Sequence, residues 1–234
     1  MPTIFITGAN RGIGLEFVKQ YAQQGYTVFA SYLPTAETEE LQQLAEAHAN
    51  ISLIPMDVTQ EDQIIAAAQK LKNETIDILI NNAGIFGGSQ DLEKITADTM
   101  INVFKVNTIG PLLVIKHFIN HVAASTLKTI VAITSRQGSI SAMLKKNQVP
   151  SDAYAYRASK AALNIIMSGV ALDTHARGIR VLLFHPGHVK TAMGGPDAEI
   201  DVHTSVSGMI KIITQAPRSL ENFFYMYDGT KLSW

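Results

Sequence analysis

Short apolar runs alternate with longer helical patterns from residue 3 to about residue 185. The apolar runs predict strands at residues 3–7, 26–31, 51–56, 76–80, 130–134 and 179–184. The longer stretches predict helices at residues 12–24, 38–49, 60–72 and 153–177, and one long helix that ends near residue 124. Alternation at this period is typical of βαβ units, which build a mostly parallel sheet.

The apolar runs are nearly continuous, as at residues 78–80 and 181–184. Strands of this kind are buried on both faces, because helices cover a parallel sheet from either side. We therefore expect an α/β fold, in which residues 1–234 form a single doubly wound, Rossmann-type domain. Its mostly parallel sheet would have about seven strands, with helices on both faces. The predicted loops are residues 86–92, 139–152 and 186–202.

Composition and charge exclude several classes of function. The chain has 19 Lys and Arg against 20 Asp and Glu, and this net charge of −1 gives no basic field for nucleic acid. The absence of cysteine excludes a disulfide scaffold, thiolate catalysis and Cys-ligated metal centres. No apolar stretch approaches the roughly 18–20 residues of a membrane span, and residues 1–8 lack the basic start of a signal peptide. We expect a cytoplasmic protein without membrane contact.

A glycine-rich turn follows the first predicted strand, with the sequence TGANRGIG at residues 7–14. Glycine lets the backbone bend sharply and approach a ligand, and the next helix offers unpaired N–H groups to a phosphate. Turns need glycine for shape alone, so the motif is weak by itself. Its place between an N-terminal strand and a helix favours a phosphate loop.

Polar residues also follow the third and fourth predicted strands. Asp57 is either a helix-capping carboxylate or an acceptor for an adenine amino group. The fourth strand runs into NNAG at residues 81–84, which is either an ordinary turn or part of the crevice where open α/β sheets bind ligands.

Tyr156 and Lys160 lie four residues apart and therefore on one face of a predicted helix. An ammonium near a phenol lowers the tyrosine pKa and makes a general acid/base for neutral pH. Ser135 ends the fifth predicted strand, where its hydroxyl would point into the same crevice. A lone Tyr-x-x-x-Lys pair is usually a surface pair, but three such elements on adjoining strand ends indicate a site.

Two histidines and one long loop allow other interpretations. His117 and His121 have the spacing of metal ligands on a helix, but no third ligand accompanies them, and we expect no metal site. Twenty residues separate Ser135 from Tyr156, and residues 143–147 within this stretch are either a substrate lid or a tolerated surface insertion. The candidate pocket-wall residues, each also interpretable as packing, are Phe86, Met143, Tyr154 and Met193.

Over essentially its whole length the chain resembles the short-chain dehydrogenase/reductase family. Residues 7–14 match that family's cofactor loop, and residues 81–84 match its Asn-Asn-Ala-Gly motif. Asn107, Ser135, Tyr156 and Lys160 match its catalytic positions, and PGHVKT at residues 186–191 matches its Pro-Gly-x-Val-x-Thr segment. Residues 134–140 and 227–234 are most similar to the C-factor and sniffer-type carbonyl reductases within the family.

The resemblance implies a role for each matched residue. Tyr156 would exchange a proton with the substrate oxygen, Lys160 would lower the Tyr156 pKa and hold the nicotinamide ribose, Ser135 would bind the substrate oxygen, and Asn107 would support a proton-relay water. The implied cofactor-binding residues are Gly8, Asn10, Arg11, Gly12, Ile13, Gly14, Ser31, Asp57, Val58, Asn82, Ala83, Gly84, Tyr156, Lys160, Pro186, Gly187, Val189 and Thr191.

The cofactor preference depends on Ser31 and Arg11. NAD-preferring members carry an acidic residue at the end of the second strand, where this chain has Ser31. Arg11 matches a position that reaches the 2′-phosphate of NADP, although it could instead be a solvated surface residue. No second basic residue follows the strand, as it does in many NADP-preferring relatives. NADP(H) is the predicted cofactor, and NAD(H) stays possible.

Together these features predict an NADP(H)-dependent carbonyl reductase or alcohol dehydrogenase that acts on a small-molecule carbonyl or alcohol. The alternative is a dinucleotide-binding signalling or sensor protein of C-factor type with incidental turnover. By analogy with the family, the apolar helices between the fourth and sixth strands predict a homo-oligomer, either a dimer or a tetramer.

Overall fold

A parallel sheet forms the centre of this computed structural model, which describes residues 1–88, 91–143, 153–221 and 223–234. Its strands are β1 (Thr3–Ile6), β2 (Thr27–Tyr32), β3 (Ile51–Pro55), β4 (Ile78–Asn81), β5 (Thr129–Ile133), β6 (Arg180–His185) and β7 (Phe224–Met226). Their order across the seven-stranded sheet is β3-β2-β1-β4-β5-β6-β7, and each neighbouring pair is parallel. The expected α/β fold is confirmed.

Helices connect these strands. They are α1 (Gly12–Gln23), α2 (Glu39–Ala47), α3 (Glu61–Lys70), α4 (Ala97–Phe104), α5 (Gly110–Ala123), α6 (Ile140–Met143), α7 (Tyr154–Thr174) and α8 (Val202–Gln215). The single long helix expected before β5 is instead α4 and α5 joined by a π-helical turn at Lys105–Ile109. Among the described helices, none is both long enough and apolar enough to cross a membrane.

The predicted strands form because their side chains are apolar on both faces. Every residue of β1, β4 and β5 is buried, which agrees with helices packed on either side of the sheet. The register places Ile4 beside Val28 of β2 and Ile78 of β4, so β1 lies inside the sheet with a strand on either side. The strand order reverses between β1 and β4, and a crevice for ligands opens at the carboxyl ends of strands at such a point.

A buried carboxylate ties the opposite, amino-terminal edge of the sheet together. Asp77 directly precedes β4, and its Oδ2 accepts a hydrogen bond from the Thr3 N–H at 2.9 Å. Its Oδ1 accepts from the N–H groups of Thr126 and Leu127 at 3.2 and 3.1 Å. One side chain therefore joins β1 and β4 to the turn that enters β5.

Candidate functional site

The glycine loop between β1 and α1 packs directly against the segment that follows β4. Gly8 has φ +64°, and a Cβ at this position would lie 2.8 Å from the Ala83 Cα. A Cβ on Gly14 would overlap the carbonyl oxygen of Gly8. Only glycine fits at either position, because one needs a left-handed backbone and both face other backbone atoms.

Side chains fasten these two segments to each other. The Asn82 side-chain amide donates to the carbonyl oxygens of Thr7 and Gly8 at 2.9 and 3.0 Å. In return, the Thr7 hydroxyl accepts from the N–H groups of Asn82 and Ala83 at 3.0 and 3.1 Å. The two motifs predicted from the sequence, 7–14 and 81–84, therefore form one structural unit at the sheet's switch point.

The start of α1 is open toward a ligand. Arg11 occupies the N-cap position, but its side chain makes no capping hydrogen bond, and the first turn of α1 carries no acidic residue. Ile13 packs on the core, whereas Arg11 is exposed. A helix start with uncapped N–H groups attracts a phosphate, and the glycine loop leaves room for one, so this region fits the diphosphate of a dinucleotide.

The segment after β6 closes the other side of the glycine loop. Thr191 lies so near that a Cβ on Gly12 would come within 3.3 Å of its Cγ2. The Thr191 hydroxyl accepts from the Gly194 N–H at 3.1 Å, and Val189 beside it is buried. Gly187 follows Pro186 and packs against Ile200, and its left-handed φ of +87° favours glycine there. The predicted PGHVKT motif is thus beside the glycine loop, about 180 residues away in the chain.

Three of the expected cofactor residues have contacts that the sequence did not indicate. Ser31 is fully buried, and its contribution to the crevice is a carbonyl that accepts from the Ala9 N–H at 2.8 Å. The Asn10 side chain donates to the Glu37 carbonyl at 3.1 Å. The Asp57 carboxylate accepts from both the N–H and the hydroxyl of Thr59 at 2.8 Å, a local turn contact that does not cap α3, whose N-cap residue is Gln60. Val58, next to it, packs against Gly110.

The π-helical turn aims Asn107 into the centre of the site. Its Oδ1 accepts from the Ile85 N–H at 2.9 Å, and its Nδ2 donates to the Ile85 carbonyl at 2.8 Å and to the Ser159 hydroxyl at 3.0 Å. The Ser159 hydroxyl in turn donates to the Tyr156 carbonyl at 2.7 Å. Asn107 is fully buried, so this one side chain joins the loop after β4 to the start of α7.

Lys160 follows Tyr156 by about one turn of α7, and only 4 % of the residue is exposed. Its Nζ donates to the Ile133 carbonyl at 2.9 Å and lies 5.6 Å from the centroid of the Tyr156 ring. A Cβ on Gly84 would lie 3.6 Å from this Nζ. Burial disfavours the ammonium form and lowers the pKa of Lys160 to about 8.

The Ser135 hydroxyl adjoins the Tyr156 phenol, and the Phe86 ring packs against the Tyr156 ring with centroids 5.3 Å apart. Burial raises the pKa of Tyr156, and the nearby Ser135 hydroxyl offsets only part of that rise. Tyr156 therefore does not have the lowered pKa that its spacing to Lys160 predicted, because the net shift is upward. The ammonium is directed to the Ile133 carbonyl, and burial has the larger effect on the phenol.

Gly138 is a residue of the site that the sequence analysis missed. It ends the 3₁₀ turn Arg136–Gly138 that follows Ser135, and a Cβ there would lie 2.7 Å from the Lys160 carbonyl carbon. The Asn164 side chain reinforces this contact by donating to the Gly138 carbonyl at 3.3 Å. A glycine three residues after a serine gave no sequence signal for such an approach, because the partner lies on another element.

The remaining sequence interpretations concern the histidines and the lid. His117 Nε2 lies 2.7 Å from the Glu61 carboxylate, and His121 Nε2 lies 3.2 Å from the Ala68 carbonyl, so each ring has its own partner. In the part of the chain that the structure describes, no group of His, Asp or Glu is arranged to hold a metal. Residues 144–147 of the proposed lid lie outside the described residues.

The chain matches a family model described as short chain dehydrogenase over residues 2–200. Among curated proteins it is 36% identical over 159 residues to the C-signal of Myxococcus xanthus, which covers 68% of this chain and 93% of that protein. It is 31% identical over 251 residues to an uncharacterized oxidoreductase of Schizosaccharomyces pombe, which covers 98% of this chain and 97% of that one.

Two solved structures have the same fold along the whole chain. The NADPH-bound carbonyl reductase from chicken fatty liver is 33% identical, with a TM-score of 0.91 and coverage of 100% of this chain and 99% of that chain. The carbonyl reductase Sniffer of D. melanogaster is 29% identical, with a TM-score of 0.89 and full coverage of both chains. The resemblance predicted from the motifs is confirmed.

Proposed function

The chain is an oxidoreductase of the short-chain dehydrogenase family, and from that membership we propose that it is an NADP(H)-dependent carbonyl reductase or alcohol dehydrogenase, built as one domain over residues 1–234. The observation that carries the proposal is the placement of the Ser135 hydroxyl beside the Tyr156 phenol, with the Lys160 ammonium 5.6 Å from the Tyr156 ring. A hydroxyl pair of this kind, at the carboxyl end of a parallel sheet, suits binding and protonation of a carbonyl oxygen.

Ser135 and Tyr156 would each have a separate role toward the substrate oxygen. The Ser135 hydroxyl donates a hydrogen bond to that oxygen and stabilises the negative charge that develops on it. The Tyr156 phenol then gives the oxygen a proton, or accepts one in the reverse direction. Because burial raises the pKa of Tyr156, the phenol keeps its proton at neutral pH, which suits the reduction direction. A bound nicotinamide would supply or accept the hydride.

Lys160 and Asn107 would support the phenol. The Lys160 ammonium lies close enough to the ring to stabilise a phenolate after proton transfer, and its other donors are available to the nicotinamide ribose. Asn107 holds the Ile85 main chain and Ser159, and so fixes the loop after β4 against the start of α7. With a bound water it would lead protons toward Lys160.

NADP(H) is the proposed cofactor, with NAD(H) as the alternative. Arg11 is exposed at the start of α1 and forms no ion pair within the described ranges, so its guanidinium is available to a 2′-phosphate. The residues that would hold the remainder of the dinucleotide are the glycine loop, Asp57, Val58, Asn82, Ala83, Gly84, Pro186, Gly187, Val189 and Thr191. Titration with NADPH and NADH, followed by nicotinamide fluorescence, tests this choice.

We also propose that the chain forms a homo-oligomer and is located in the cytoplasm. Large apolar side chains are exposed along α4, α5 and the turn between them, at Ile101, Ile109 and Leu112. Ile165 and Leu172 are exposed on α7. Exposed apolar rows on adjacent helices suit a contact between two copies. Sedimentation equilibrium would give the number of chains in the assembly.

The deciding experiment for the reaction is Tyr156→Phe, measured with NADPH and 9,10-phenanthrenequinone as probe. A reductase should lose turnover by at least about 10²-fold and keep its NADPH affinity, since the variant removes only the proton donor. Unchanged turnover would contradict the role of Tyr156. Failure of the wild-type protein to bind either nucleotide would contradict the proposed function as a whole.

The 36% identity to C-signal supports a second candidate, a dinucleotide-binding signalling or sensor protein in which turnover is incidental. The same variant separates the two. An output that depends on nucleotide binding alone should survive Tyr156→Phe, because that residue lies beyond the glycine loop that would bind the diphosphate.

A further inference from the structure

Trp234 is held firmly against the edge strand of the sheet. Its ring stacks on Phe224 with centroids 5.4 Å apart and meets Phe223 at an interplanar angle of 67°, with centroids 5.6 Å apart. The main chain of the same segment folds back along β7, where the Leu232 N–H donates to the Phe224 carbonyl at 2.9 Å. Although 43% of Trp234 is exposed, ring packing and main-chain hydrogen bonds determine its position.

Trp234 also contacts α6. Its carbonyl oxygen accepts a hydrogen bond from the Ser141 N–H at 3.0 Å. The four-residue helix α6 begins five residues after Ser135, and a single turn of this length does not hold its shape without outside contacts. Its own cap is the Ser139 hydroxyl, which accepts from the Ala142 N–H at 3.1 Å. The hydrogen bond to Trp234 is a second contact that stabilises the same turn, and it comes from a distant part of the chain.

An apolar face lies on this turn. Ile140 and Met143 are three residues apart and so share one side of α6, and they are 69% and 42% exposed. The chain between Ser135 and α6 is short and is fixed to α7 by the Gly138 contact. The short helix that carries these two side chains is therefore kept close to Ser135 in the fold. Pockets for small molecules typically combine apolar walls with a few polar groups of this kind.

We propose that Trp234 is a positioning residue for the substrate site. It holds α6 so that Ile140 and Met143 form an apolar wall beside Ser135, and it thereby favours carbonyl substrates that carry a bulky apolar group. This inference rests on the proposed carbonyl reductase function. Trp234 itself touches neither Ser135 nor Tyr156 among the contacts of the described residues, so its effect passes through α6.

The first arm of the test is amide hydrogen exchange on the wild-type protein and on the variants Trp234→Ala and Trp234→Phe. A matched control is Ile210→Ala, which removes a buried side chain of α8 and lowers stability without touching α6. In Trp234→Ala the Ser141 amide should exchange about tenfold faster or more, while the amides of β5 stay protected. Trp234→Phe should resemble the wild type, because a ring remains on Phe224.

The second arm compares two probes of different size, 9,10-phenanthrenequinone and 2,3-butanedione, each with NADPH. In Trp234→Ala the KM for the large quinone should rise about tenfold with kcat within about threefold, and kcat/KM for the small diketone should change less than about threefold. The Kd for NADPH should not change. A purely structural defect, as in Ile210→Ala, would affect both probes alike.

Three results would overturn the proposal. One is unchanged exchange at Ser141 in Trp234→Ala, another is an equal loss for both probes, and the third is a loss in Trp234→Phe as large as in Trp234→Ala. If the wild type binds NADPH but reduces neither probe, the proposed reaction fails for these carbonyls, and calorimetric binding of the quinone replaces KM. Binding about tenfold weaker in Trp234→Ala would then support the role of Trp234, and equal or absent binding would contradict it.

Discussion

Replacing Gly138 with alanine should separate Ser135 from the other proposed catalytic groups, Tyr156 and Lys160, while leaving the fold intact. The added Cβ would lie 2.7 Å from the Lys160 carbonyl carbon and 2.9 Å from both the Ala161 nitrogen and the Lys160 Cβ. Carbon atoms in ordinary contact are about 3.5–4 Å apart, so the 3₁₀ turn must move by roughly 1 Å relative to α7. Neither side can yield by rotating a side chain, because most of these atoms belong to the backbone of a 21-residue helix.

The expected magnitudes differ for stability and for rate. Overpacking of this kind lowers the free energy of unfolding by about 1–3 kcal/mol. Ser135 precedes the turn and moves with it, whereas Tyr156 and Lys160 stay on α7. A misplacement of about 1 Å between catalytic groups lowers kcat by roughly 10²-fold. Affinity for NADPH should change little, because the glycine loop that would bind its diphosphate joins β1 to α1 and is not part of the 3₁₀ turn.

The assay combines urea unfolding with NADPH oxidation in the presence of 9,10-phenanthrenequinone. Gly25→Ala is the matched control, because Gly25 has φ +80° with no atom within 4 Å of the added Cβ. Its left-handed backbone makes alanine unfavourable by about 1–2 kcal/mol, far from the site. If Gly138→Ala loses stability like the control and keeps wild-type kcat, the contact does not align Ser135 with α7, and the reasoning is wrong.

Three further predictions concern stability. The pKa of Lys160 is about 8 in the folded protein against 10.5 for the free side chain. Burial of the charged ammonium therefore lowers the free energy of unfolding by its full amount below pH 8, and by a decreasing amount between pH 8 and pH 10.5. Lys160→Met should therefore exceed the wild type in stability at pH 7 by up to roughly 3 kcal/mol, and this advantage should shrink toward pH 10.5. Asp77→Asn should lower the free energy of unfolding by about 2–3 kcal/mol, since one carboxylate accepts three backbone N–H groups there. Gly169→Ala should raise it by about 0.5–1 kcal/mol, because the position is helical and its Cβ would meet no atom within 4 Å.

Urea unfolding curves at several pH values check all three. A constant difference between Lys160→Met and the wild type from pH 7 to pH 10 would contradict the burial of a charged ammonium. Unchanged stability of Asp77→Asn would mean that the three N–H groups find other acceptors. A loss of stability in Gly169→Ala would mean that the open face of α7 is covered in solution.

The positions of the motifs could be predicted from sequence because each one is local. The runs 7–14 and 81–84 directly follow the strands β1 and β4, whose carboxyl ends border the crevice at the switch point. The four proposed catalytic positions follow from the family resemblance and, for Tyr156 and Lys160, from helix periodicity. Phe86, named as a pocket wall, does pack on Tyr156.

The tertiary structure decided how those residues interact, and the reason is that burial and long-range packing are not local properties. It directs Lys160 to the Ile133 carbonyl and raises the pKa of Tyr156, where the i, i+4 spacing alone predicted a lower one. It encloses Ser31 and presses Gly138 onto α7. The sequence by itself determined the fold class and most of the residues that meet at the crevice, but not Gly138. The ionisation and orientation of these residues, and the contacts that hold them in place, depend on which helices pack over the sheet.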